Sequence, residues 1–94
     1  MARSKAELKA LVQEEIDRRA EDIVRVSAAI QAHPETGFFE HRTADVVAQE
    51  LRGMGLSVET QLARTGVKAT MRGHADGPTV GILGELDSLI VPDS

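Results

Sequence analysis

The chain has 94 residues, of which 41% are hydrophobic, 28% charged and 2% aromatic, with a formal net charge of -4. That balance excludes a disordered chain, and 11 Lys and Arg residues dispersed among 15 acids exclude the clustered basic face of a nucleic-acid binder. With no Cys, disulfides, thiol catalysis and thiolate metal sites are excluded within these residues.

The N-terminal stretch MARSKAELKALVQEE has no continuous apolar core of signal-peptide type. No run approaches the roughly 20 apolar residues that span a bilayer, so a cytoplasmic chain without a membrane segment is expected. Within this stretch Ser4 and Glu7 form a capping-box pattern, in which each side chain satisfies an orphan backbone N–H of the first turn. Leu8, Val12, Ile16, Ala20, Ile23 and Ile30 then recur at helical spacing. Glu14–Arg18 and Glu21–Arg25 are charge pairs four apart on the opposite face. One amphipathic helix over about residues 4–32 is predicted, closed by Pro34, since the residue before a proline avoids helical geometry.

HPETGFFE, residues 33–40, reads as a loop and holds the two aromatics, Phe38 and Phe39. A second helix is predicted over about residues 40–54, with Ala44, Val47, Leu51 and Met54 on one stripe and Ala48 beside it. Gly55 is placed to end it in the left-handed conformation. Beyond it the period changes to two. Residues 56–61 and 67–72 read as strands, and GHADGP as a turn. Residues 79–83, TVGIL, are apolar or Gly on both faces, as in a strand covered on two sides. The expected fold is α/β: two N-terminal helices packed on part of a mixed β-sheet, in the order helix-helix-strand-strand-strand. A lack of Trp and Tyr leaves such a core thin, which points to a piece of something larger.

The candidate chemistry lies in GELDSL. Glu85 and Asp87 stand two apart in extended chain, so their side chains share one side. Two carboxylates on one side repel unless a cation or a shared proton relieves them. Metal coordination, orientation of a metal ligand and acid–base work are therefore open, beside a plain solvated loop. His33, His41 and His74 show no metal-ligand spacing. His74 reads as a turn residue, His41 as first-turn helix, and His33 as a neighbour of a helix C-terminus. No nucleophile elbow, phosphate-binding loop or dinucleotide fingerprint is present.

Three stretches, HPETGFFEHRTA, RTGVKATMRG and ILGELDSL, in this order resemble the amidohydrolase branch of the M20 zinc peptidases. That branch includes aminoacylase-like and p-aminobenzoyl-glutamate hydrolases, and the resemblance is to its N-terminal part. It implies that residues 1–94 are the N-terminal part of a zinc-exopeptidase-like catalytic domain, incomplete as it stands. The whole enzyme would use a divalent metal, zinc or manganese, to activate water against the amide bond of N-acyl or N-aroyl amino acids. Asp87 matches the family's supporting acid, which orients a metal-binding side chain. Glu85 occupies the position where the wider family has a metal-binding His, and is a candidate site residue. His33 and Glu35 match a family loop to which no role is assigned. The family's later ligand segments are not in this chain, so no cofactor and no activity are expected of it alone. The alternative is a small non-enzymatic α/β module for binding or self-assembly, with a homodimer as one form.

Overall fold

A computed structural model describes residues 2–89 and 91. The chain forms two compact units, Met1–Gln31 and Ala32–Ser94.

In the first unit Ser4 starts helix α1, Lys5–Arg18, and the capping box is present in both directions. The Glu7 amide donates to the Ser4 hydroxyl at 3.1 Å, and the Ser4 amide to the Glu7 carboxylate at 3.4 Å. Helix α2 follows as Ala20–Gln31. The single helix expected over residues 4–32 is therefore two. The cause is local: the Arg19 amide is shared between the carbonyls of Glu15, 3.1 Å, and Ile16, 3.2 Å, which tightens that turn. Glu15 draws in both Arg18 and Arg19, where the sequence spacing pairs Arg18 with Glu14. The apolar stripe is real but open, since Leu8, Val12, Ile16 and Ile23 are each exposed.

In the second unit residues 32–40 are irregular and lead into helix α3, His41–Gly53. Its end follows the glycine rule. Gly55 takes φ 82°, its amide donates to Arg52 at 2.9 Å, and the Leu56 amide donates to Leu51 at 3.3 Å. These two bonds satisfy carbonyls that the last turn leaves open.

Strands β1, Ser57–Leu62, and β2, Gly66–Thr70, form an antiparallel hairpin. Ser57 faces Thr70, Val58 faces Ala69, and Glu59 faces Lys68. The last pair also meets as an ion pair at 3.9 Å. Leu62 then faces Gly66 rather than Thr65, so β1 carries a bulge between Glu59 and Leu62. Gln61, at φ 59°, absorbs it.

Helix α3 covers the hairpin. Ala44 and Ala48 are buried at the contact, with Val47 and Leu51 half-buried on the α3 side and Val58, Val67 and Ala69 half-buried on the hairpin. Met54, expected on the same stripe, is exposed. Two alanines at the centre let helix and hairpin approach closely but bury little apolar area.

The α/β class holds, but the expected order and the mixed sheet do not. Among the described residues the sheet has two strands, and the order is helix-helix-helix-strand-strand. Residues 79–83 form no strand, and Val80, Ile82 and Leu83 are 83%, 95% and 100% exposed. A strand that is apolar on both faces needs a cover on each, and the second unit supplies one helix and one hairpin. Among the described residues no helix is long and apolar enough to cross a membrane.

Candidate functional site

The three sequence stretches meet on the loop that precedes α3. Glu40 caps the start of helix α3, but its side chain makes no capping bond to the helix. The open amides of the first turn must then be met from elsewhere. Glu35 meets them. Its carboxylate accepts from the Arg42 amide at 3.1 Å, the Thr43 amide at 2.6 Å and the Thr43 hydroxyl at 2.8 Å. A negative group there is also favoured by the helix dipole. These donors, the Thr43 amide foremost, hold the Glu35 carboxyl below its ordinary value of 4.5, against the opposing effect of desolvation. The nearby His41 acts in the same lowering direction.

Glu40 serves a different purpose. Its buried carboxylate accepts from the buried Thr65 hydroxyl at 3.2 Å, which ties the start of α3 to the hairpin turn. The Arg64 guanidinium stands over the Phe38 ring, 5.4 Å from its centroid, and makes a second tie between the same loop and turn.

The third stretch reaches the loop through its backbone. The Ser88 amide donates to the Glu35 carbonyl at 2.7 Å. Exposure alternates around this bond: Leu86 and Ser88 are half-buried, whereas Glu85, Asp87 and Leu89 are exposed. Asp87 is exposed between the two half-buried residues, and Glu85 ends the exposed run of residues 79–85. Both acids are open to solvent.

That pair can attract a cation or orient a basic group. It does not make a metal site. Among the described residues no group of three or more His, Cys, Asp or Glu is placed to hold a metal ion. His33, His41 and His74 are all exposed, and His41 is the first residue of α3. The zinc or manganese implied by the resemblance thus has no ligand set among these residues. A separate recess of about 300 Å³ lies between α3 and the hairpin turn, with His41, Asp45, Arg52 and Arg64 in its lining. Neither Glu85 nor Asp87 lines it.

Glu35 is the functional-looking residue that sequence reasoning left without a role. The available signal was the poor capping residue at the start of α3 combined with an acid a few positions upstream.

No family model matches the chain, and no solved structure matches it. Curated proteins do. It is 33% identical over 79 residues to thermostable carboxypeptidase 1 of Saccharolobus solfataricus, covering 82% of this chain and 20% of that protein. It is 30% identical over 90 residues to the N-acyl-L-amino acid amidohydrolase of Geobacillus stearothermophilus, covering 96% and 23%. It is 30% identical over 79 residues to the hippurate hydrolase of Campylobacter jejuni, covering 84% and 20%. The chain spans about a fifth of the length of the curated relatives it matches.

Proposed function

From a chain that is a relative of the M20 amidohydrolases and carboxypeptidases, we propose part of the catalytic domain of an enzyme that hydrolyses N-acyl or N-aroyl amino acids. The observation that supports this most is the convergence on one loop. Stretches distant in sequence are tied together by Ser88 on Glu35, Thr65 on Glu40 and Arg64 on Phe38. A catalytic corner needs such fixing, because reacting groups work only when held in place.

In this reading Asp87 is the supporting acid, which orients a basic, metal-binding side chain from elsewhere in the enzyme. Glu85 stands beside it as a second candidate. The substrate is a small amide. The described residues offer no metal-ligand set. In the whole enzyme the metal would draw on residues outside this stretch.

The test is a longer protein. The coding sequence should be read past residue 94 and the complete product assayed on an N-benzoyl amino acid with zinc or manganese supplied. Hydrolysis that Asp87→Ala reduces by about ten- to a hundredfold supports the reading. A complete product that leaves N-acyl and N-aroyl amino acids untouched sinks it.

A second reading, a non-enzymatic self-assembly module, is favoured by the open apolar stripe of α1. It predicts a defined dimer of the 94-residue chain by sedimentation. A monomer at all concentrations would remove it.

A further inference from the structure

We propose that Glu35 is a positioning residue: its carboxylate is seated on the first turn of α3 while its carbonyl holds Ser88, so one residue fastens the Glu85–Asp87 segment to the helix. The proposal deepens the amidohydrolase reading and, in its catalytic meaning, rests on it.

The argument is geometric. Both carboxylate oxygens of Glu35 are engaged, one by the Arg42 amide and the other by the Thr43 amide and hydroxyl. Three donors leave the side chain little rotational freedom. The amides belong to a helix that is closed at its far end by Gly55 and packed on the hairpin through Ala44 and Ala48. The side chain thus transmits the rigidity of α3 to the backbone of a loop that has no regular structure of its own. The carbonyl of the same residue accepts from Ser88 at 2.7 Å. Asp87 directly precedes that donor, and Leu86 and Ser88 are the half-buried members of the segment. Residues 79–85, just before, are exposed and in no strand. The fixed position of GELDSL is therefore received at Glu35.

A plain cap would differ in one respect. If Glu35 only capped α3, losing its side chain would loosen Arg42 and Thr43 and leave Ser88 as it was. If it positions the segment, Ser88 must loosen with them.

Amide hydrogen exchange on the 94-residue chain separates the two. In Glu35→Ala, protection at Ser88, Arg42 and Thr43 is expected to fall together, by roughly tenfold or more, while Ala48 keeps its own. Glu35→Gln, which retains an oxygen acceptor of the same reach, should restore most of the Ser88 protection. Thr43→Val, which removes one of the three donors, should lower Ser88 protection partway and serves if Glu35→Ala does not fold. Unchanged Ser88 protection in Glu35→Ala and Thr43→Val would overturn the proposal, as would a failure of Glu35→Gln to restore it. The exchange readout needs no catalysis. Hydrolysis absent from the complete product would fail the enzyme reading and leave the tether standing. Hydrolysis present with Ser88 unaffected would do the reverse.

Discussion

The Thr65 hydroxyl donates to the Glu40 carboxylate at 3.2 Å, and both residues are buried. A buried carboxylate that loses a donor is left partly unsatisfied, which costs more than the bond itself contributes. Thr65→Val keeps the shape and removes the hydroxyl. It should lower the stability of the chain by about 1–3 kcal/mol in urea denaturation. Thr65→Ser, which keeps the hydroxyl, should lose clearly less. Equal losses in the two variants would mean that the methyl group, not the hydrogen bond, matters.

Glu35 sets a pH dependence. Its folded-state carboxyl titrates below the ordinary value of 4.5, chiefly because the Thr43 amide donates to the ionised form. Between the folded and unfolded values the unfolded chain binds more protons, so stability rises with pH there. The contribution is present above the unfolded value and is lost as pH falls through the folded one. Within the first unit, Glu15 is held down by its bond to Arg19 in the same way. Exchange protection at Arg42 and Thr43 should therefore fall below about pH 4.5, and Glu35→Gln should flatten that fall. A steep loss that persists at these amides in Glu35→Gln would assign it to another group.

What the sequence made legible was the local chemistry. Ser4 with Glu7, Gly55 at the end of α3, and the alternation through residues 67–70 each depend on near neighbours, and all are present. Illegible were the features set by partners far along the chain. The Glu35 cap depends on donors seven and eight residues away, and the Ser88 bond crosses more than half the chain. Residues 79–83 read as a strand because their pattern is that of a strand, yet pairing needs a neighbour and two covers. The break at Arg19 has neither Pro nor Gly to announce it.

Residues 79–83 give a direct check on that point. With no strand and with Ile82 and Leu83 almost wholly exposed, the amides of this stretch should exchange nearly as fast as in an unfolded chain. Those β2 amides that bond across the hairpin to β1 should be protected by comparison. Protection in 79–83 equal to that in β2 would mean that these residues pair in solution.

The hairpin turn offers a prediction of opposite sign at two neighbouring small residues. Ala63 sits at φ 47° and Arg64 at φ 86°, in the left-handed region that disfavours residues with a Cβ. Ala63 is exposed and its methyl group adds little. Ala63→Gly should therefore stabilise the chain by about 0.5–1 kcal/mol, against the usual sign for Ala to Gly. At Gly66 the reverse holds. A Cβ there would lie 2.5 Å from the Leu62 carbonyl oxygen, its partner across the end of the hairpin. That atom is backbone and cannot swing aside, so Gly66→Ala should destabilise by about 1–3 kcal/mol and disturb the Thr65–Glu40 bond beside it. Thermal melts of the two variants measure both shifts. A stabilising Gly66→Ala would show that the hairpin end opens more easily than its register implies.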